Sequence, residues 1–488
     1  MRTPSRILVR PGAAFRPLLA LLFGLIAPFA SGAAKPNLVF MLADDLGYGD
    51  VRCFNPDGKI ATPHLDRLAA EGMRFTDAHS SSAVCTPTRY GLLTGRYNWR
   101  SRLKRGVQGG MSPPLIEHGR LTVGAFLQQN GYRTAAVGKW HLGMNWALKP
   151  GAPPFNDNIE RGEDGWNVDF AKPIQNGPTT FGFDYFFGIA ASLDMVPYNF
   201  IENDRVTALP TVDKSFPMLL GYNAQTRRGP AAEDFEADQV LPELARQAVQ
   251  FIERNAADAK AGRPFFLYLP FASPHTPTVP TPEWQGKSGL NAYGDFVMQT
   301  DAAVGQVLAA LDRLGLAENT LVIATSDNGC SPQARFADLA AQGHHPSGPL
   351  RGHKADLFEG GHRVPFLARW PGQVKAGASS SRLISLNDFF ATCADILDQQ
   401  LPADAAEDSV SFLPALLGRA EQSPREALVH HSINGSFAIR QGDWKLLLAP
   451  DSGGWSAPRP GSPEARDLPD VQLYDLAAFG FEALGKFQ

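Results

Sequence analysis

Short apolar runs recur along this chain, and each is followed at once by polar, chemistry-bearing residues. The runs are NLVFML (37–42), RTAAV (133–137), PFFLYLPF (264–271) and TLVIATS (320–326). Continuous runs of this length predict strands buried on both faces. Between them, apolar residues fall at helical spacing. Leu65, Leu68 and Ala69 do so in TPHLDRLAAEG, and Val123, Phe126 and Leu127 in LTVGAFLQQNG. Further helices are predicted from about Val240 to Ile252 and over Phe296–Leu314, where Val304, Leu308 and Leu311 mark one face. The alternation predicts an α/β fold with a large, mostly parallel sheet flanked by helices.

The polar residues that end these runs are the first chemical clue. Asp44 and Asp45 follow the first strand, and Gly138-Lys139-Trp140-His141 the second. Ser273-Pro274-His275 follow the third, and Asp327-Asn328-Gly329 the fourth. In an open parallel sheet the strand carboxyl ends share one edge, where ligands bind. Four such endings place a candidate site there. The stretch 142–235, rich in Gly, Pro and Asn, predicts excursions over that edge. Beyond about residue 425, SFAIRQGDWKLLLAP and VQLYDL predict antiparallel strands and a small C-terminal sheet. The expected division is a signal peptide over 1–33, a catalytic domain over 34–425 and a small subdomain over 426–488.

Composition narrows the class. With 44% apolar and 10% aromatic residues in 488, the chain can bury a substantial core, and 47 Gly with 39 Pro predict many loops. The N-terminus carries Arg2, Arg6, Arg10 and Arg16, then an apolar run from Leu18 to Ala30, then small residues. That is the layout of a secretory signal, so an exported, periplasmic or secreted protein without a stable membrane anchor is expected. Losing its four arginines and no acids takes the formal net charge from −4 to −8, which argues against nucleic acid as a partner. Four widely spaced cysteines, Cys53, Cys85, Cys330 and Cys393, make neither a disulfide scaffold nor a structural zinc site. One bridge among Cys53, Cys330 and Cys393 stays open.

Cys85 opens the stretch CTPTRYGLLTGR (85–96). Thr86 reads as an N-cap, Pro87 as the first helical residue and Gly95 as a stop. Cys85 then sits at a helix N-terminus with Arg89 one turn on, a setting that suits an anion. Asp44, Asp45, Asp327 and Asn328 offer hard oxygen ligands for Ca²⁺, or less aptly Mg²⁺, although any one such pair also serves ordinary turns. Arg89, Lys139, His141, His275 and Lys354 add positive charge. A metal with several cations describes a site for a tetrahedral oxyanion ester, which means phosphoryl or sulfuryl transfer.

CTPTRYGLLTGR resembles the Cys-x-Pro-x-Arg signature of the type I, formylglycine-dependent sulfatases. GKWHLG (138–143) is similar to that family's second motif, and the order ADD, CxPxR, GKWHLG, SPH, SDNG, GHKADLFEGG is that of its arylsulfatase-A-like branch from residue 43 to residue 361. The resemblance, strongest with exported bacterial members, implies an alkaline-phosphatase-like fold and hydrolysis of sulfate esters. It implies that a formylglycine-generating enzyme oxidises Cys85, and that a hydroxyl of the hydrated aldehyde attacks sulfur. Asp44, Asp45, Asp327 and Asn328 would hold Ca²⁺ beside residue 85. Arg89 and His141 would orient the nucleophile, Lys139 and Lys354 bind sulfate, and His275 serve the leaving oxygen, with Ser192 a further polar contact. The substrate class implied is sulfated carbohydrate, or an aryl sulfate, with His344, His345 and His362 as loop residues within reach of sugar. Two departures stand out: Thr88 replaces the commoner Ser, and AAFGFEALGKFQ follows LYDL in place of the family's usual ending. Rival readings are a phosphatase or phosphodiesterase of the same fold, which would need Ser or Thr and two zinc ions, and a sulfated-glycan binding protein with unmodified Cys85.

Overall fold

In the computed structural model, residues 35–419 and 425–477 are described. The expected signal peptide and the divergent C-terminal stretch from residue 478 lie outside them. A ten-stranded sheet runs through the molecule. In chain order its strands are β1 (Asn37–Asp44), β2 (Met73–Phe75), β3 (Arg133–Lys139), β4 (Tyr185–Ile189), β5 (Ile201–Glu202), β6 (Arg205–Val206), β7 (Phe265–Pro274), β8 (Thr320–Ser326), β9 (Phe366–Arg369) and β10 (Ala378–Ser380). In space they run β10-β2-β9-β8-β1-β7-β3-β4-β5-β6.

The centre, from β8 to β4, is parallel throughout; β9 pairs antiparallel with both β8 and β2, β10 adds a parallel edge beyond β2, and β5 and β6 pair antiparallel on the other side. Every residue of β1, β7 and β8 is buried, as continuous apolar runs require when helices cover both faces. Among the helices are α1 (Pro63–Glu71), α2 (Cys85–Thr94), α3 (Val123–Gln129), α4 (Val240–Lys260) and α5 (Ala292–Arg313). On α5, Val304, Leu308 and Leu311 are all buried, the face read from the sequence.

The four expected strands are the four central ones. Strand β4 lies inside the stretch read as loop excursion, because its five residues, YFFGI, carry too short a pattern to mark a strand alone. A separate four-stranded antiparallel sheet closes the chain: β11 (Leu428–His431), β12 (Phe437–Gln441), β13 (Trp444–Leu447) and β14 (Gln472–Asp475). All four cysteines are free, so no bridge joins Cys53, Cys330 and Cys393. Among the described residues, no helix is long and apolar enough to cross a membrane.

Candidate active site

The last residues of β1, β3, β7 and β8 are Asp44, Lys139, Pro274 and Ser326. Because these strands are parallel, the polar residues at and just after their ends meet on one edge. Helix α2 starts at Cys85 itself, two residues earlier than the sequence suggested, with Val84 in the cap position and no side-chain cap. Thr86 is otherwise engaged, since its hydroxyl accepts the Gln108 amide at 3.2 Å. Pro87 still falls in the first turn, where a missing N–H costs nothing. Gly95, in the left-handed region at φ 63°, ends the helix.

Arg89 is fully buried and locks this helix to two strand ends. Its guanidinium donates to Asp327 Oδ2 at 2.8 and 3.2 Å and to the Lys139 carbonyl at 2.8 Å. Lys139 donates to Asp44 Oδ2, and the Lys354 ammonium lies 2.7 and 2.8 Å from the Asp45 carboxylate oxygens. Asn328 Nδ2 donates to Asp45 Oδ1 at 2.6 Å. His275 Nδ1 is 2.6 Å from the Thr276 carbonyl and so carries a proton, which turns Nε2 toward Asp45 Oδ2 at 3.7 Å. His141 donates from Nε2 to the Gln108 carbonyl at 2.8 Å, leaving Nδ1 buried and unpartnered. Ser192, three residues past β4, is buried with a free hydroxyl.

Three carboxylates and three permanent cations thus share a space sealed from water. Burial would raise Asp44, but Lys139, His275, Arg89 and Lys354 outweigh it and hold the carboxyl well below its usual range. Asp327 goes the other way, pushed up to about 7 by burial and the charge of Asp44. Burial also raises the Cys85 thiol, more than Lys139 and Lys354 can offset, so the expected anion-friendly helix end does not make residue 85 a thiolate.

The donor set fits a hard divalent cation. Asp44 Oδ1 and Asn328 Oδ1 are buried without any partner, a costly state that an ion would relieve. Ligand atoms of Asp44, Asp45 and His275, and of Asp44, Cys85 and Asp327, lie within 4.8 Å of one another. Carboxylate and amide oxygens would hold such an ion, and its charge would let all three carboxylates ionise together.

A second buried cluster was invisible in the sequence. His79, His362 and His430 come together with Asp77, Glu359, Arg363, Arg440 and Lys445. The His362 and His430 rings stack at 3.7 Å with 14° between planes. Lone pairs lie in the ring plane, so two stacked imidazoles cannot both meet one ion at about 2.0–2.1 Å. As they stand, His362 and His430 do not both face one ion. These residues share no spacing that would have announced them. His362 belongs to this cluster, and His344 is buried against Asp50 at 2.8 Å, so neither can reach a sugar as expected from loop position. His345 alone of the three is exposed.

The family model described as Sulfatase matches residues 36–399. The chain belongs to the sulfatase family. Its members are sulfuric ester hydrolases, and the chain is one by that membership. It is 35% identical over 484 residues to an N-acetylgalactosamine-6-O-sulfatase of Bacteroides thetaiotaomicron, covering 91% of this chain and 88% of that one. Human (Homo sapiens) arylsulfatase A is 35% identical over 447 residues, covering 88% and 76%. A solved sulfatase structure from the glycosaminoglycan metabolism of B. thetaiotaomicron superposes with TM-score 0.77 at 34% identity, covering 92% and 94%. A phosphonate monoester hydrolase from Silicibacter pomeroyi shares the fold alone, at 19% identity and TM-score 0.56 over 90% and 89% of the two chains. The alkaline-phosphatase-like architecture therefore does not choose the reaction; the sulfatase's side chains do.

Proposed function

We propose that this sulfatase hydrolyses sulfate esters of carbohydrates, with residue 85 converted to formylglycine and Ca²⁺ held by Asp44, Asp45, Asp327 and Asn328. The observation that carries the reading is the convergence of Cys85, Arg89, Lys139 and Lys354 on that oxygen cluster at one sheet edge. A carbohydrate substrate follows from likeness to the N-acetylgalactosamine-6-O-sulfatase. Export follows from the N-terminal layout, and a formylglycine-generating enzyme would act on the chain before it folds.

When bound, the cation would polarise sulfate oxygens, and the hydrated aldehyde would supply the nucleophilic hydroxyl. The remaining work falls to side chains. Lys139 and Lys354, already close to Asp44 and Asp45, neutralise charge on the sulfate oxygens. Arg89 holds Asp327 and the Lys139 carbonyl, which fixes residue 85 relative to the cluster. His141 Nδ1, with Nε2 committed to Gln108, accepts a proton from the nucleophile. His275 Nε2 serves the leaving oxygen, where negative charge develops, and Ser192 offers a further polar contact.

The test is turnover of an aryl sulfate against an aryl phosphate, with chelator and with calcium restored. Sulfate preference that disappears with chelator and returns with calcium is expected. Preference for phosphate, or rescue by zinc alone, would sink the reading. Mass spectrometry of the peptide 75–89 from a host with the maturation enzyme checks the nucleophile: an aldehyde is expected, and an intact thiol would favour a glycan-binding protein.

A further inference from the structure

The turn that follows β1 is built with unusual care. Asp45 sits at φ 66°, in the left-handed region that few non-glycine residues enter and Asp enters more readily than most. Both polar groups of the peptide that follows it are engaged. Its carbonyl lies 3.3 Å from the Tyr293 hydroxyl, and its N–H, on Leu46, donates to Ser326 Oγ at 2.9 Å.

Tyr293, at the start of α5, also donates to Asp50 Oδ2, so its single proton is shared between that carboxylate and the Asp45 carbonyl. Asp50 receives two further donors: the Gly47 amide at 2.8 Å and His344 Nε2 at 2.8 Å. His344 Nδ1 accepts the Lys59 amide at 3.2 Å, so both ring nitrogens are engaged. Asp50, Tyr293 and His344 are all essentially sealed from solvent.

Two glycines let the segments interlock. A Cβ on Gly47 would come within 2.2 Å of the Pro346 carbonyl, and one on Gly49 within 2.2 Å of the Gly348 amide. The turn 45–50 and the segment 344–348 are thus pressed together, and the second leads within six residues to Lys354, the partner of Asp45.

We propose that Asp50, Tyr293 and His344 are positioning residues for the reaction: a brace that holds the Asp45 carboxylate in its cation-binding orientation. None of them touches the reacting atoms; they act through the Asp45 peptide. The inference rests on the calcium reading above, and its test separates the two.

Calcium is titrated into chelator-treated wild type, Tyr293→Phe, His344→Gln and His344→Leu, followed by calorimetry and by the calcium-induced rise in Tm. Wild type should bind. Tyr293→Phe keeps the ring but not the hydroxyl and should lose about 10- to 100-fold in calcium affinity, with kcat falling more than KM rises. His344→Gln can still donate to Asp50 and should stay near wild type, whereas His344→Leu should resemble Tyr293→Phe. Wild-type affinity in both Tyr293→Phe and His344→Leu would overturn the brace. Absence of binding by wild type would overturn the calcium reading, and the brace with it. Should Tyr293→Phe fold poorly, the Gln–Leu pair decides, since a purely structural role gives both the same calcium affinity once their calcium-free Tm values are matched by temperature.

Discussion

Two buried clusters of charge lie close together in this sulfatase, and they are built to opposite ends. At the sheet edge, Asp44, Asp45 and Asp327 crowd one another, and Asp44 Oδ1 and Asn328 Oδ1 find no partner. Beside the C-terminal sheet, Asp77 and Glu359 are met by His79, Arg363, Arg440 and Lys445, and no buried carboxylate oxygen is orphaned. One cluster leaves oxygens that a cation would satisfy. The other meets its carboxylates with its own cations and joins β11, β12 and β13 to the chain around His79, six residues before Cys85, and only the His430 ring nitrogens in it are left unpartnered. Burial of charge is therefore no mark of a functional site; crowded carboxylates with oxygens left unpartnered point to a cation.

The comparison breaks most sharply at residue 85. Cys85→Ala should lower aryl sulfate turnover by at least about 10⁴-fold, as loss of a nucleophile does. Its urea midpoint should stay close to wild type, because the thiol makes no hydrogen bond that folding depends on. A large loss of stability would mean that the edge cluster, too, is structural.

Next in size is Glu359→Gln, an isosteric change that leaves Lys445 and Arg363 short of a counter-charge. It should cost about 3–5 kcal/mol in urea unfolding, the usual penalty for breaking a buried pair. Turnover per folded molecule should remain measurable. Unchanged stability with abolished turnover would place the second cluster in the chemistry.

Cation addition gives a smaller, diagnostic effect. Calcium at 100 times its Kd should stabilise the protein by about 2.7 kcal/mol, and Asp44→Asn should remove most of that gain. Zinc should give no gain through His79, His362 and His430, whose stacked rings cannot share it. A zinc-induced rise in Tm abolished by His430→Phe would show that the rings rearrange around metal.

The same contrast explains what could be read from the sequence. The edge site was legible because each contributor ends an apolar run: Asp44 after NLVFML, Lys139 after RTAAV, Asp327 after TLVIATS. Topology then forces such endings together. Lys354, on a loop with no strand of its own, was found through its place in GHKADLFEGG and the family resemblance. The histidine cluster had no such mark. His79, His362 and His430 meet only because the short strand Ala78–His79, the turn at Glu359–His362 and β11 pack together, and that packing leaves no period or spacing. His344 was misjudged because a His-His pair in a Gly-rich loop looks exposed, whereas its partner Asp50 lies almost 300 residues away. Strand β4 and the helix start at Cys85 were settled by neighbours, Lys139 across the sheet and Gln108 against Thr86, that local pattern does not contain.

The smallest effect is the most specific to the second cluster. Burial holds His79, His362 and His430 below the ordinary histidine range; Lys445 reinforces this at His362 and His430, and Arg440 at His79, against the pull of Asp77 and Glu359. These imidazoles take up protons more readily in the unfolded chain. Their contribution to stability is therefore complete above about pH 6.5 and is lost as pH falls from there toward their lower folded-state values, by at most about 1.4 kcal/mol per histidine per pH unit. His431, pushed down to about 4 by burial, adds the same sign, and Asp77 and Glu359, held low by their partners, extend the loss below about pH 4. His430 isolates one contribution, because both its ring nitrogens are buried without partners. His430→Phe keeps the stack on His362 but cannot titrate. Urea midpoints between pH 7.5 and 5.0 should fall less steeply in this variant than in wild type, by about one histidine's share. Parallel slopes would mean that His430 takes up its proton as readily in the folded chain as in the unfolded one, so that its burial in the second cluster costs the charged ring nothing.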